Sequence, residues 1–263
     1  MSNTKISMDL QGRRALVTGG TKGIGKAIAD ELSQAGAQVI VSARNHDGQD
    51  DHGRHFIAAD LTKPEEVIRL KEKIEEQFGG IDILINNAGG LTHPGGGFNT
   101  LTDEHWEREL QLNLLAAVRL DRLLLPKMIE QGNGVIIHIS SLNGRLPLWN
   151  MTMAYGATKA ALNSYSKTLA MKLASKNVRV LTVSPGATKT KGMEDYLQGY
   201  ATAVGITVEE AIDQLLAQSG GVPMGRMAEP EEVASLVHYL VSPSAAYLTG
   251  TNYAVDGGSL QVV

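Results

Sequence analysis

Short, largely apolar segments alternate along the chain with segments of helical periodicity, and this rhythm constrains the fold more than any other feature. We predict strands in the apolar segments, at residues 13–18, 38–41, 55–58, 81–85, 135–139 and 178–183. We predict helices at residues 24–35, 64–78, 102–131 and 152–175. Apolar residues fill the strands instead of alternating with polar ones, which is typical of strands covered on both faces. The pattern predicts an α/β fold, a doubly wound parallel sheet with helices on both faces.

No linker rich in proline or serine and no internal repeat divides the chain, so we expect residues 1–263 to form one domain. Two stretches interrupt the rhythm. Residues 89–97 are rich in glycine, and residues from 191 to about 221 separate the sixth strand from a late helix. Because connections of this length often close over ligands, we expect a substrate lid at about 191–221. The candidate substrate contacts are Met193, Tyr196, Leu197 and Tyr200 in the lid, and Trp149 and Met151 as another wall.

Composition limits the functions that such a fold could have. The formal net charge is −4, so no basic field is available to hold nucleic acid or anionic lipid. The chain has no cysteine, which excludes disulfides, thiolate zinc sites and a cysteine nucleophile and fits a reducing compartment. Residues 1–10 lack the apolar core of a signal peptide, and no apolar run reaches the ~18 residues of a membrane span. We therefore expect a cytoplasmic protein with no metal, membrane or nucleic-acid partner.

A glycine-rich turn, residues 18–25 (TGGTKGIG), links the first strand to the first helix. Glycines at this place leave backbone N–H groups bare, and the positive end of the helix dipole adds to their attraction for phosphate. The turn therefore predicts a nucleotide-binding site. The candidate contacts are Gly19, Thr21, Lys22, Gly23, Ile24 and Gly25.

The same segment has two other interpretations. Residues 20–26 fit Gly-x4-Gly-Lys, the start of the phosphate-binding loop of nucleotide hydrolases. That loop continues with a serine or threonine that holds magnesium, and this chain has Ala27 there, so the magnesium site would be incomplete. The glycines could also serve the turn alone, with no ligand.

The end of the second predicted strand indicates which dinucleotide would bind. A fold of this kind often has an acidic residue there, about 20 residues after the glycines, to grip the ribose 2′-hydroxyl of NAD. This chain has Arg44 instead, with Lys22 in the glycine-rich turn. Two cations suit the 2′-phosphate of NADP(H). We therefore predict NADP(H) over NAD(H), the alternative being that both side chains are solvated surface cations.

Tyr155 and Lys159 are the candidate catalytic pair. Four residues apart at the start of a predicted helix, they share one helical face, although such a pair alone is often a solvated surface feature. A carbonyl that accepts hydride also needs a proton, and an ammonium beside a phenol lowers the phenol pKa from ~10. The strand before this helix ends in Ser140 and Ser141. A serine there could bind the carbonyl oxygen, or it could simply end the strand.

Taken in order, these motifs resemble those of the short-chain dehydrogenase/reductase family, in its 3-oxoacyl-carrier-protein-reductase-like branch, over nearly the whole chain. The matching segments are residues 18–25, Asp60-Leu61, residues 86–89 (NNAG), Asn113, Ser141, Tyr155-x3-Lys159, Pro185-Gly186-x3-Thr190 and residues 256–258 (DGG). Their order and separations are far more specific than any single motif. The resemblance implies a Rossmann-type sheet of seven strands in the order 3-2-1-4-5-6-7.

The resemblance also implies roles for individual residues. Tyr155 would be the general acid/base, and Lys159 would lower its pKa and hold the nicotinamide ribose. Ser141 would orient the substrate oxygen, with Ser140 as the alternative, and Asn113 would hold a water that relays protons. The further cofactor contacts that it implies are Asp60, Leu61, Asn87, Ala88, Gly89, Pro185, Gly186, Thr188 and Thr190.

The function predicted in this way is hydride transfer between NADP(H) and a small carbonyl or secondary alcohol, with Tyr155 as the acid/base. The alternative is a non-catalytic NADP(H) sensor on the same fold, although a sensor has no need of a proton donor. The family resemblance further implies a homotetramer or homodimer formed through the helices at 102–131 and 152–175. The sequence does not specify the substrate.

Overall fold

One sheet of seven parallel strands runs through the protein. The computed structural model describes residues 7–46, 53–93, 95–148, 151–218 and 221–261. The strands are β1 (Arg14–Thr18), β2 (Gln38–Ala43), β3 (His55–Ala58), β4 (Ile83–Asn86), β5 (Gly134–Ile139), β6 (Val178–Pro185) and β7 (Asn252–Val255). Their order is β3-β2-β1-β4-β5-β6-β7, and every neighbouring pair is parallel. The predicted sheet and its order are therefore confirmed.

Helices connect the strands on both sides of this sheet. In the described part of the chain they are α1 (Gly23–Gln34), α2 (Pro64–Phe78), α3 (Asp103–Leu110), α4 (Ala116–Glu130), α5 (Met153–Leu173), α6 (Lys191–Val204), α7 (Val208–Gln218) and α8 (Pro230–Val241). Two expectations need correction. A π-helical turn at Gln111–Leu115 interrupts the single helix predicted at 102–131. The segment at 191–221, expected as an irregular connection, contains the helices α6 and α7.

The two faces of the sheet bury separate hydrophobic clusters. On one face, Val17 of β1 belongs to a cluster with Ile28 of α1 and Val237 of α8. On the other face, its neighbour Leu16 belongs to a cluster with Leu120 of α4. Successive residues of a strand point to opposite faces, and here both faces are covered. This double coverage explains why the strands read as continuous apolar runs.

Because all strands are parallel, their carboxyl ends meet at one edge of the sheet, where ligand sites of such folds lie. The glycine-rich turn after β1, Arg44 after β2, and the two serines after β5 all lie at this edge. Pairing of β1 with β4 places the segment from Asn87 beside the turn. Within the described ranges, no helix combines the length and apolar character needed to cross a membrane.

Candidate active site

The glycine-rich turn is locked to the loop that follows β4. Thr18 Oγ1, at the end of β1, accepts hydrogen bonds from the N–H groups of Asn87 and Ala88, each at 3.0 Å. In return, Asn87 Nδ2 donates to the carbonyl oxygens of Thr18 at 2.9 Å and Gly19 at 3.2 Å. The Asn87 amide, predicted as a cofactor contact, is thus engaged in fixing the shape of the turn.

The turn leaves bare backbone where it enters α1. Gly19 and Gly23 have φ angles of 62° and 56°, in the left-handed region that favours glycine. A Cβ on Gly25 would collide with the Gly19 carbonyl oxygen, and one on Gly23 would lie 3.2 Å from Thr190 Cγ2. Lys22 precedes the helix, whose first turn contains no acidic residue. This cradle, which any larger side chain would fill, fits the phosphates of a dinucleotide at the positive end of α1.

Other predicted residues of this region face the interior. Ala27 is buried in the core under α1, so the position that would need a magnesium-binding hydroxyl in a nucleotide hydrolase points away from the cradle. Ile24 packs against the same cluster, while Thr21 stays partly exposed in the turn. Leu61, expected beside the adenine, is 6% exposed and belongs to the cluster on the other face of the sheet.

The two predicted phosphate-binding cations, Arg44 and Lys22, are both exposed. Arg44 lies close enough to Asp60, which follows β3, for its charge to act on that carboxylate. Burial raises the Asp60 pKa, but hydrogen bonds from Thr62 and the charges of Lys63 and Arg44 outweigh burial and hold it below its usual range. Asp60 Oδ1 accepts the Thr62 hydroxyl at 2.7 Å and its N–H at 3.0 Å. Asp60 therefore shapes its own loop and stays ionised beside Arg44.

Strand β6 ends at the buried Pro185, and the segment that follows it runs past the cradle. Thr188 Oγ1 donates to the Gly186 carbonyl oxygen at 3.1 Å. Thr190 caps α6 by accepting the Met193 N–H at 3.2 Å. Both predicted threonines therefore hold this segment in shape, and Thr190 also packs against Gly23 of the glycine-rich turn.

Tyr155 and Ser141 meet at the carboxyl end of β5. The hydroxyl of Ser141 accepts the N–H of Asn143 at 3.2 Å and lies close enough to the Tyr155 hydroxyl to act on its pKa. Ser140 points elsewhere: it is buried, and its Oγ donates to the Lys159 carbonyl oxygen at 3.4 Å. Of the two adjacent serines, Ser141 is the one that contacts the phenol.

Lys159 lies one turn after Tyr155 on α5, as expected from their spacing. Its Nζ lies 5.6 Å from the centroid of the Tyr155 ring and donates to the Ile139 carbonyl oxygen at 2.9 Å. Burial lowers the Lys159 pKa to about 8, although the charge of Glu109 opposes this shift.

The Tyr155 pKa departs from the sequence-based expectation. The Tyr155 pKa is raised to about 12, and burial of the phenol is the main cause. The charge of Glu109 also raises this pKa, whereas Ser141 lowers it. The sequence predicts that Lys159 lowers the Tyr155 pKa. In the structure the Tyr155 pKa is raised instead, because desolvation of the phenol dominates. The structure therefore holds Tyr155 as a protonated phenol.

Asn113 lies in the π-helical turn, an irregularity that is frequent at functional sites. It is buried, its Oδ1 accepts the Gly90 N–H at 2.9 Å, and its Nδ2 donates to the Gly90 carbonyl oxygen at 3.0 Å. A Cβ on Gly89 would lie 2.8 Å from Asn113 Oδ1 and 3.1 Å from Lys159 Nζ. The polar ends of Asn113 and Lys159 therefore both lie against the same side of Gly89, where no side chain fits between them and the backbone.

Sequence reasoning missed Glu109. This residue lies in the last turn of α3, is fully buried, and acts electrostatically on both Tyr155 and Lys159. In the sequence it is one of several charged residues on a helix that looks solvated. Only its spacing of four residues from Asn113 hints at a contact.

A small cleft lies under the predicted lid. It has a volume of about 160 Å³ and lies between α6, α7 and the segment before α5. Met151 lines it, and so do the lid residues Tyr196, Leu197 and Tyr200. Trp149, named with Met151 as a wall, lies outside the described residues. Met193 packs in the small cluster that joins α6 to α7.

With this geometry, the comparison with known proteins is informative. A profile of the family described as enoyl-(acyl carrier protein) reductase matches residues 19–259. A 3-oxoacyl-(acyl-carrier-protein) reductase of Vibrio cholerae is 35% identical, over 97% of this chain and 100% of that protein. An uncharacterized oxidoreductase of Bacillus subtilis is 37% identical, over 97% of this chain and 99% of its own.

Solved structures agree with these relatives. L-sorbose reductase from Gluconobacter frateurii, complexed with NADPH and L-sorbose, has a TM-score of 0.88 and 34% identity, with coverage of 97% of this chain and 99% of that one. An actinorhodin polyketide ketoreductase with NADPH has a TM-score of 0.85 and 32% identity, with coverage of 95% and 98%. The chain belongs to the short-chain dehydrogenase/reductase family of oxidoreductases.

Proposed function

We propose that this protein is an NADP(H)-dependent oxidoreductase that transfers hydride between the cofactor and a small carbonyl or secondary alcohol, with Tyr155 as the acid/base. The observation that carries the proposal is the placement of Ser141 and Lys159 around the Tyr155 phenol, with Lys159 Nζ 5.6 Å from the centroid of its ring. This trio lies at the same edge of the sheet as the glycine cradle, so a proton donor and a dinucleotide site face one crevice.

The side chains suggest how the proton moves. Bound in the cradle, the reduced cofactor would supply hydride to the carbonyl carbon. Ser141 orients the carbonyl oxygen, and Tyr155 donates its phenolic proton to that oxygen. The Lys159 ammonium stabilises the phenolate that remains and returns a proton to it. In the oxidative direction, the same groups move the proton from the alcohol back to the phenolate.

The shifted pKa values support this division of labour. A phenol with a pKa of about 12 is protonated at neutral pH and available as a donor. An ammonium with a pKa of about 8 is still charged at neutral pH, yet acidic enough to reprotonate a phenolate. Both protonation states suit carbonyl reduction, in which the phenol is the proton donor and the ammonium reprotonates it.

Arg44 and Lys22 support NADP(H) as the cofactor. Both cations are exposed at the crevice, and no acidic residue ends β2 to receive the ribose hydroxyls of NAD. Two solved relatives bind NADPH. In a melting experiment, a ligand at 100 times its Kd stabilises a protein by roughly 2.7 kcal/mol. NADPH should therefore raise the melting temperature more than NADH does.

A matched pair of variants tests this assignment. Arg44→Ala should erase most of the difference between NADPH and NADH. Arg69→Ala removes an exposed arginine from α2 and should leave the difference intact. If NADH stabilises the wild-type protein more than NADPH, the phosphate-binding role of Arg44 is wrong.

The substrate is best approached through a panel of carbonyls, monitored by NADPH absorbance. We would include L-sorbose and an acetoacetyl thioester, after the names of the relatives, together with simple apolar ketones. We propose that residues 191–221 act as the substrate lid, since Tyr196 and Tyr200 line the cleft beside Met151. NADPH binding without turnover of any carbonyl would favour the non-catalytic sensor instead. A cytoplasmic location is also proposed, on the support of the cysteine-free composition.

A further inference from the structure

Glu109 is a buried carboxylate that the mechanism above does not use. It is 0% exposed, and burial of an ionised group is costly unless donors surround it. Its Oε1 accepts the Thr92 N–H at 2.5 Å and the Thr92 hydroxyl at 2.7 Å. Its Oε2 accepts Asn113 Nδ2 at 2.6 Å. All three partners donate, which is the arrangement that an ionised carboxylate requires.

These hydrogen bonds connect Glu109 to the reaction centre through Asn113. The Asn113 amide is held by Glu109 on one side and by both backbone groups of Gly90 on the other. The orientation of this amide is therefore fixed, with Oδ1 beside Gly89 and thus close to Lys159 Nζ. Gly90 sets which way the amide faces, and the Glu109 carboxylate adds a charged acceptor to the amide nitrogen and ties it to Thr92.

The charge of the same carboxylate acts on the buried Lys159 ammonium. Lys159 has a carbonyl oxygen as its hydrogen-bond partner, not a carboxylate. Burial lowers its pKa to about 8, and the charge of Glu109 works against that shift. The same charge raises the pKa of Tyr155. Glu109 therefore acts on both members of the proton-transfer pair without touching either.

We infer that Glu109 is a positioning residue for this site: its carboxylate fixes Asn113 and the loop at residues 90–92 beside Lys159, and its charge acts on the Lys159 ammonium. The role in turnover rests on the proposed reductase function, whereas the effect on Lys159 does not. Two further titratable groups belong to this region: His105, on the same helix as Glu109, and His93, next to Thr92 in the facing loop; their rings lie 6.4 Å apart. Both remain in place in every variant proposed below.

The direct test measures the titration of Lys159 in the cofactor-free protein. Lysines labelled with carbon-13 at Cε are followed by NMR against pH, and the Lys159 signal is identified by its loss in Lys159→Met. In Glu109→Gln, which removes the charge, the Lys159 pKa should fall by ~0.5 unit or more. The control Glu107→Gln removes a charge from an exposed position of the same helix and should leave the pKa unchanged. An unchanged Lys159 titration in folded Glu109→Gln overturns the inference.

Glu109→Asp covers the case in which the glutamine variant does not fold. It keeps the charge but shortens the reach to Asn113, so the Lys159 titration should stay near that of the wild type while the contact to the amide is lost. With a carbonyl substrate from the panel, kcat should then fall ~tenfold or more, with the Kd for NADPH within ~threefold. Wild-type kcat in Glu109→Asp contradicts the positioning role.

The pH dependence of turnover is a second test, because a purely structural role of Glu109 would not change it. The descending limb of kcat for carbonyl reduction should follow Lys159, and in Glu109→Gln it should shift to lower pH together with the NMR titration. If no carbonyl is reduced by the wild-type protein, the proposed function fails, while the NMR result still decides the role of Glu109. A limb that stays in place while the NMR titration moves would show that Glu109 does not act on turnover through Lys159.

Discussion

Ser140 and Ser141 are adjacent in sequence but point to different partners. We therefore expect a catalytic role for one of them and a structural role for the other. Ser141 contacts the Tyr155 hydroxyl, whereas Ser140 is buried against the backbone of Lys159. We expect Ser141→Ala to lower kcat ~10²-fold, because the substrate oxygen loses its anchor. Ser140→Ala should keep most activity and cost about 1 kcal/mol of stability.

Steady-state kinetics and thermal unfolding of the two variants decide between them. Each serves as the control for the other, since the same hydroxyl is removed one residue apart. If Ser140→Ala loses more kcat than Ser141→Ala, the roles assigned to the two serines are wrong.

Burial of the charged Lys159 side chain lowers the stability of the folded protein. Burial lowers its pKa from 10.5 to about 8, so between these values the unfolded chain binds a proton that the folded chain does not. Wild-type stability should therefore rise with pH from about 8 to 10.5 and be lowest, for this group, below pH 8. Lys159→Met should raise the free energy of unfolding at pH 7 by ~1–3 kcal/mol, remove this slope, and abolish turnover.

Chemical denaturation at several pH values measures this effect. Lys172→Met, an exposed lysine near the end of α5, is the matched control and should change neither stability nor slope. A Lys159→Met protein less stable than the wild type at pH 7 would mean that the ammonium stabilises the fold.

Among the elements, the turn after β1 depends on a side chain from the loop that follows β4. Removal of the amide in Asn87→Ala breaks two hydrogen bonds to turn carbonyl oxygens. We expect a loss of ~1–2 kcal/mol in stability and a Kd for NADPH that rises ~tenfold, since the cradle loses its preorganised shape. Calorimetric titration with NADPH tests this. Asn133→Ala, in the turn immediately before β5, should leave the Kd unchanged; an equal effect there would mean a general loss of stability.

Strands that are covered on both faces of the sheet were predictable from sequence. Elements and residues that depend on contacts between distant parts of the chain were not. The strands β1 to β6 were found because most of them are apolar and covered on both faces, whereas β7, an edge strand that is only partly buried, was not assigned from its own residues. The helices α6 and α7 were missed because they are stabilised by a small cluster of their own, with Leu197 and Ala211 at its centre. The π-helical turn around Asn113 leaves no periodic signal. Glu109 was missed because only the folded loop at Thr92 shows that it is buried.

At the scale of the whole molecule, the predicted homotetramer or homodimer is still a prediction. The helices expected to form the interface carry exposed apolar side chains: Met171 of α5 is 73% exposed, and Ile129 of α4 is 36% exposed. Light scattering after size exclusion should show a mass that is a multiple of 28.1 kDa. Met171→Glu should shift the protein towards smaller species. A wild-type protein that is monomeric at all concentrations would contradict this expectation.

The whole chain also shows what a set of individually weak sequence motifs can predict. Each motif alone fits a structural role, and Asn87 and Thr190 do hold the backbone in shape. The motifs carried information because the parallel sheet gathers them at one edge. What the sequence could not provide is the electrostatic balance there, because burial, which dominates the Tyr155 pKa, exists only in the fold.

The most direct test of the account measures hydride transfer and NADPH binding together in the wild type and in Tyr155→Phe. The wild-type protein should oxidise NADPH in the presence of at least one carbonyl of the panel. Tyr155→Phe should bind NADPH with a Kd within ~threefold of the wild type and retain less than ~1% of its kcat. Substantial turnover by Tyr155→Phe, with binding unchanged, would contradict the central claim that this phenol supplies the proton.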